Sequence, residues 1–324
     1  MNQLKNIFIT GATGFIGSDL LKIIDFDKYN VFALSRQTYN STQINLNYLQ
    51  ADLFDLDKFS EILSVTDFFI HIAGEKKDES KMKLINEDGM SYILSVISKY
   101  AGIKFLYISS GGVYGIENHP ETILDENVKC YPTTLYEKTK LNAEFLLSEI
   151  AETNKLHYTI LRPTNVVGAF DKGMKLLNLF TALQKKRFFY INKKSIVNYL
   201  YVRQLTEIIK NVIDNEIFEN EVYNVNSACT IEEFIEQSKK ALNLHYKIKM
   251  IPLIFSGLLL MIAKLVDLLP PKYQLINSGK LRELTSEKYY STKKIHQKLT
   301  INESAYLKTG IENLVIYYKS INKL

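Results

Sequence analysis

The chain has 324 residues, 46% of them hydrophobic and 23% charged, an ordinary balance for a globular protein with room for one large or two modest domains. Lys and Arg number 40 against 35 Asp and Glu, a formal charge of +5; this is too small and too dispersed to argue for nucleic acid, though it suits an anionic or phosphorylated substrate. Two cysteines, Cys130 and Cys229, and 5 histidines without ligand spacing exclude a disulfide framework and a metal cluster, and make a reducing cytoplasm the expected compartment. A strand begins within a few residues of Met1, so no signal peptide is expected.

The apolar run Ile7-Phe8-Ile9 predicts a short buried strand. Gly11, Gly14 and Gly17 follow at three-residue spacing, and a helical pattern begins at Ser18. A strand that runs through glycines into a helix start is a dinucleotide-binding arrangement. Gly11 permits the tight turn, Gly14 lets backbone approach a pyrophosphate, and Gly17 lets the helix sit against the strand. The phosphates then lie at the helix N-terminus, where free N–H groups and the positive dipole end favour an anion. Thr13, Phe15 and Ile16 complete this cofactor-binding loop.

A second strand over Tyr29–Leu34 ends in Ser35-Arg36. An acidic residue there would hold a ribose 2′-hydroxyl, whereas a small hydroxyl and a guanidinium suit a 2′-phosphate. NADP(H) is therefore favoured, with NAD(H) and a solvated arginine as the alternative. Tyr48–Leu53 reads as a third strand. Its Asp52 is placed either to accept from an adenine amine, with Leu53 packed on the ring, or to cap a helix over Leu56–Leu63. The strand Asp67–Gly74 ends in the small residues Ile72-Ala73-Gly74, which leave room for a cofactor, and His71 within it reads as a core histidine. A helix over Asn86–Tyr100, a strand over Lys104–Ser109, a helix over Tyr136–Ala151 and a strand over Tyr158–Leu161 follow. This alternation argues an α/β fold, a Rossmann-like doubly wound parallel sheet.

From Val166 the rhythm loosens. Val197–Val202 and Glu221–Val225 look as if they return to the sheet. The expected organisation is a nucleotide-binding domain over 1–165, with 195–226 returning to it. A smaller, sequence-interrupted C-terminal substrate domain then comprises 166–194 and 227–324. Ile251–Leu269 is strongly apolar but interrupted by Pro252, Gly257, Lys264 and Asp267, so it is not read as a spanning helix. It is expected to be a buried helix of the substrate domain, with a peripheral membrane contact or a subunit contact as alternatives.

Tyr136 and Lys140 are four residues apart at a helix start and share one face. A free tyrosine, with a pKa of ~10, is a poor proton carrier at neutral pH, and a nearby ammonium favours its phenolate. The pair is thus expected to act as a general acid/base for carbonyl–alcohol interconversion, with Lys140 also placed to hold a cofactor ribose. Upstream, Ile108–Gly115 ends a strand in a polar, glycine-rich loop whose serine hydroxyl could stabilise charge on the reacting oxygen.

Gly11–Gly17, Ala51-Asp52-Leu53, His71–Gly74, Asn86 with Gly89, Ser109–Gly115, Tyr136–Lys140 and Leu161–Gly168 together resemble the extended short-chain dehydrogenases/reductases, the NAD-dependent epimerase/dehydratase group that acts on nucleotide sugars. The resemblance covers roughly the first half of the chain. It implies that Tyr136 is the proton donor/acceptor with Lys140 as its partner, and that Ser110 orients the substrate carbonyl beside Gly111. It places Asn86 beside the cofactor, Pro163 near the nicotinamide and Asn165 at the substrate diphosphate. Gly111-Gly112 stand where dehydratases of the group carry an Asp-Glu pair, which argues against dehydration. Val197 and Gln204 stand where relatives show a phosphate-gripping Arg and an acidic residue. Lys185, Lys186, Arg187, Lys193 and Lys194 could substitute, or form a solvated basic loop.

Asn198–Val202, Val222–Val225, Ile251–Leu269 and Lys280–Thr285 are similar to a subgroup of surface-polysaccharide reductases and epimerases, some of which use polyprenyl-diphosphate sugars. The group also implies a homodimer through two long helices. The expected function is reduction of a 4-keto group on a nucleotide-linked sugar, with a lipid-linked sugar diphosphate as the alternative substrate. A sugar 4-epimerase and a non-catalytic NADP(H)-binding sensor are the other readings.

Overall fold

A computed structural model describes residues 4–116, 119, 121–171, 173–251, 261, 285–301 and 303–324. The apolar Ile251–Leu269, except for Ile251 and Met261, and Lys280–Leu284 lie outside the described residues. In chain order the first half comprises β1 (Lys5–Thr10), α1 (Phe15–Leu20), β2 (Tyr29–Ser35), β3 (Leu46–Gln50), a 3₁₀ segment at Leu53–Phe59, α2 (Ser60–Ser64), β4 (Phe68–His71), α3 (Glu79–Lys83), a π turn at Leu84–Asp88, α4 (Gly89–Ile97) and β5 (Lys104–Ile108). A 3₁₀ turn at Gly111–Tyr114, β6 (Ile123–Leu124), α5 (Leu135–Asn154), β7 (His157–Pro163), β8 (Asn165–Val167), α6 (Leu177–Gln184) and β9 (Phe189–Tyr190) come next. The chain continues through β10 (Ile196–Tyr201), α7 (Val202–Asp214), β11 (Glu221–Val225), β12 (Ala228–Thr230), α8 (Ile231–Ala241), β13 (Lys249–Met250) and β14 (Tyr289–Tyr290), and ends in the helix Glu303–Ser320.

Seven parallel strands form one sheet in the order β11-β7-β5-β4-β1-β2-β3. The chain winds outward from β1 in both directions, so strand order reverses between β1 and β4. A crevice beyond the carboxyl ends of these two strands is where such sheets take ligands. Alternation along each strand builds a core on each face. Ile7 and Ile9 of β1 join Val31, Phe68, Ile70 and Leu106 against Leu20 of α1 and Leu205, Ile208 and Val212 of α7. Phe8, between them, joins Phe69, Phe105 and Tyr107 against Met90, Ile93 and Ile97 of α4 and Leu147 of α5. A third core of Phe180, Phe234, Ile311, Leu314 and Tyr318 lies in the C-terminal part.

β11 returns to the main sheet as expected, with Val222 opposite Ile160. β10 does not. It pairs with β8 and β12 in a separate three-stranded sheet, because β11 already occupies the edge beside β7. What reaches the main sheet from this stretch is α7, whose apolar face packs with α1 on one face of the sheet. The helix expected over Asn86–Tyr100 begins instead inside the π turn, which α3 precedes, and continues as α4 to Ile97. The π turn carries the buried Asn86, whose amide bonds to Glu75 and Thr139 rather than facing solvent.

Backbone contact at the first loop leaves no room for side chains. A Cβ at Gly17 would lie 2.3 Å from the Gly11 carbonyl oxygen and 2.6 Å from Ala12 Cα. Gly17→Ala is therefore expected to cost about 2–4 kcal/mol of stability, as overpacking against rigid backbone does. Gly102→Ala, at φ +88° but with nothing within 4 Å, is expected to cost only about 1 kcal/mol. Urea denaturation of the two variants measures the difference.

Candidate active site

Two loops meet at the crevice. Gly11, at φ +74°, turns the chain so closely past β4 that a Cβ there would lie 2.6 Å from the Ala73 amide nitrogen. Gly14 caps α1 with extended backbone and no side-chain hydrogen bond, which leaves first-turn N–H groups for an anion. Thr13 and Gly14 are exposed, and Phe15 and Ile16 are half-buried. Opposite them, Ile72 donates its N–H to the Thr10 carbonyl, and Ala73 and the exposed Gly74 follow. A Cβ at Gly74 would sit 3.3 Å from Asn86 Oδ1 and 3.4 Å from Lys140 Nζ. Asn86 holds this turn from behind, accepting from the Glu75 N–H at 2.8 Å and donating to the Glu75 carbonyl and to Thr139 Oγ1.

At the far end of β2, Arg36 is exposed, whereas Ser35 is buried and its hydroxyl accepts from the Gln37 N–H at 3.1 Å. Of this pair, Arg36 is the group presented to solvent. Asp52 caps the 3₁₀ segment in a reciprocal box with Asp55. Leu53 is buried against Gly89, where a Cβ would lie 2.8 Å from Leu53 Cδ2. This is packing under α4 rather than an open face for a ring.

The capping box of Thr134 and Glu137 starts α5 at Leu135, which puts Tyr136 in the first turn and Lys140 one turn on. Lys140 is buried. Its ammonium donates to the Ile108 carbonyl at 2.8 Å and lies 4.6 Å from the centre of the Tyr107 ring. Burial brings the ammonium down to about 8, opposed by Glu144. The expected depression of the Tyr136 phenol is not found. Burial pushes it up to about 12, against the pull of a hydrogen bond with Ser110. Desolvation of the phenolate outweighs the charge logic of spacing alone, because Lys140 directs its ammonium to Ile108 and Tyr107.

Ser110 caps the 3₁₀ turn by accepting from the Gly112 N–H at 3.1 Å. A side chain at Gly111 would meet Tyr290 Cε1 at 3.1 Å and the Pro163 carbonyl at 3.4 Å, and one at Gly112 would meet Glu137 Cγ at 3.0 Å. Tyr290 and Glu137 thus fill the space beside these two glycines. His71 is the core histidine expected: buried, bonded to Thr10 Oγ1 at 2.7 Å, stacked on Tyr107 and kept neutral by burial, which lowers it to about 3. Asn165 begins β8 and is exposed. Val197 is buried, and the fully buried Gln204 has neither amide atom hydrogen-bonded. Lys185, Lys186, Arg187 and Lys194 are exposed, while Lys193 pairs with Glu232. No group of acidic, histidine or cysteine residues able to hold a metal occurs among the described residues, and no described helix is long and apolar enough to cross a membrane.

The sequence model of the NAD dependent epimerase/dehydratase family matches residues 7–226. The chain belongs to this family. Among relatives, a dTDP-D-glucose 4,6-dehydratase of Dictyostelium discoideum is 25% identical over 272 residues, 74% of this chain and 62% of that one. A 3 beta-hydroxysteroid dehydrogenase/Delta 5-->4-isomerase of vaccinia virus (strain Ankara) is 32% identical over 189 residues, 52% of this chain and 54% of that one. The alignments thus span less than two thirds of either relative. The crystal structure of UDP-glucuronic acid 4-epimerase from Bacillus cereus in complex with NAD superposes with a TM-score of 0.70 at 17% identity, covering 98% of this chain and 99% of that one, and shares the fold.

Within this family frame, spacing pointed to Tyr136 and Lys140 and the resemblance to Ser110, but neither pointed to four groups around them. Ser109 and Arg162 both bond to Glu144, and Arg162 Nη1 donates to the Tyr114 hydroxyl at 2.8 Å. Two signals were present in the sequence. Glu144 continues the Tyr136/Lys140 face by one turn, and Arg162 interrupts an apolar strand.

The low proton affinity of Lys140 gives a pH test. Its folded value, about 8, lies below the ordinary 10.5, so the buried ammonium destabilises the fold fully below pH 8, and the penalty disappears as pH rises through the ordinary value. Lys140→Met is expected to be more stable than wild type by about 2 kcal/mol at pH 7, given ~1.4 kcal/mol per pKa unit less the lost hydrogen bond. The gap should close between pH 8 and 10.5. Urea midpoints measured across that range check the sign.

Proposed function

We propose that this chain transfers hydride at a ring carbon of a sugar carried on a nucleoside diphosphate, reducing a ketone at C4. The observation that carries the reading is the Tyr136 phenol in the first turn of α5, with the buried Lys140 one turn on and the Ser110 side chain near enough to pull the phenol's pKa down, at the loop that follows β5 on the carboxyl edge of the sheet. The glycine cradle at Gly11–Gly17 fits a dinucleotide diphosphate, since backbone N–H groups are presented where side chains are excluded. Bound there, a nicotinamide supplies the hydride.

The chain's own residues manage the oxygen. Ser110 donates a hydrogen bond to the carbonyl and stabilises the charge that develops on it. Tyr136 then gives its proton to that oxygen. A phenol raised to about 12 is protonated at neutral pH and can give that proton to the more basic oxygen of an alkoxide. Lys140, charged and buried, keeps the field around the reacting oxygen positive. Gly111 and Gly112 carry no carboxylate pair, and Tyr290 and Glu137 lie close against them, so removal of water is not part of the reading.

The exposed Arg36 supports NADP(H) as the cofactor, and Asn165, exposed at the start of β8, supports a substrate diphosphate on that side. A polyprenyl carrier would keep the same diphosphate. A homodimer through α4 and α5 is part of the same reading: Phe145 on α5 is 61% exposed, and Leu84 just before α4 is 48% exposed.

Steady-state assays with NADPH and nucleotide-linked 4-keto sugars test this. Stoichiometric consumption of NADPH is expected, and Tyr136→Phe should lower kcat about 100- to 1,000-fold with cofactor binding unchanged. Turnover without net change in the cofactor would identify an epimerase, and cofactor binding with no turnover a sensor. Arg36→Asp is expected to weaken NADPH binding about tenfold or more while sparing NADH; equal losses for the two would show that no 2′-phosphate is read there.

A further inference from the structure

Two consecutive residues at the end of β5 are bonded to successive positions on one face of α5, and a third lies beside that face. The Ile108 carbonyl accepts from Lys140 Nζ at 2.8 Å and the Ser109 hydroxyl donates to Glu144 Oε1, while the Ser110 side chain is near enough to Tyr136 to pull its pKa down. Glu144 is 4% exposed and Arg162 is 6% exposed. Arg162, from the end of β7, meets the Glu144 carboxylate through Nε at 3.0 Å and Nη2 at 2.5 Å. Its Nη1 donates to the Tyr114 hydroxyl at 2.8 Å, and that hydroxyl donates to Asn224 Oδ1 on β11 at 3.0 Å. The guanidinium also lies 4.8 Å from the Tyr114 ring centre. Burial opposes the charge on Arg162, but its bonds to Glu144 hold it further above its ordinary range.

We propose that the buried Glu144–Arg162 pair is the positioning device of the catalytic loop. It clamps Ser109 at the loop's entry and Tyr114 at its exit, and so holds Ser110 against Tyr136. The inference rests on the catalytic reading of Ser110 and Tyr136 given above. A buried ion pair is a poor source of stability, since apolar residues of equal volume do as well or better. What this pair adds is direction: a bidentate fork with its remaining donor and acceptor both used on the two ends of one loop. Neither residue touches the reacting atoms, and both act through Ser109 and Tyr114.

Ser109→Ala and Tyr114→Phe each remove one hydroxyl and leave the ion pair in place, so folding is preserved where Glu144→Gln would strand a buried charge. Two measurements on the full chain are paired. Amide hydrogen exchange of Gly111, Gly112 and Val113 should rise about tenfold in each variant, with β1 and α4 unchanged. On a sugar diphosphate that wild type turns over, kcat should fall about tenfold with KM within about twofold, as expected for lost orientation rather than lost binding. Exchange at the wild-type rate in both variants, or faster exchange with unaltered kcat, would overturn the proposal. If wild type turns over no sugar diphosphate, the proposed function fails, and the exchange rates alone decide whether the pair holds the loop.

Discussion

The site depends on a seam between the end of β5 and one face of α5. Backbone supplies one half of that seam: the Ile108 carbonyl, at the last residue of its strand, takes the Lys140 ammonium. A buried lysine is expensive to keep charged, so the contact persists only because the helix and the strand are each fixed by other forces. Leu147 and Ala143 anchor the helix in the core on that face, and Phe105 and Tyr107 anchor the strand.

The second constraint is the close approach of backbone to backbone at the strand-order reversal. Gly11 runs against Ala73, and Gly17 against Gly11 and Ala12. These contacts put the α1 N-terminus and the end of β4 on either side of one crevice, with the Ser110 loop next along the sheet because β5 neighbours β4. Sheet order, rather than any single side chain, brings the glycine loop and the Tyr136/Lys140 pair to the same edge.

The parts legible in the sequence were the local ones. The glycine spacing after Ile9, the short apolar runs that yield strands such as β1, β2 and β4, and the four-residue step from Tyr136 to Lys140 all depend on neighbours in the chain. Four features were not legible. The partners of β10 are decided by β11 taking the main-sheet edge, a competition between distant segments. Tyr290 reaches Gly111 only through the pairing of β14 with β6. The Tyr136 phenol was expected to be lowered by a charge one turn away, but burial, which spacing does not report, decided the direction. The lysine direction is a tertiary matter too, since Ile108 and Tyr107 claim the ammonium.

The central claim is that a phenol and a serine hydroxyl converge on one substrate oxygen at the edge of this sheet. A crystal structure with NADP(H) and a 4-keto nucleotide sugar bound tests it most directly. Tyr136 Oη and Ser110 Oγ should each lie within about 3.2 Å of the C4 oxygen. A sugar bound with that oxygen turned away from both hydroxyls, and met instead by another acid, would contradict the account.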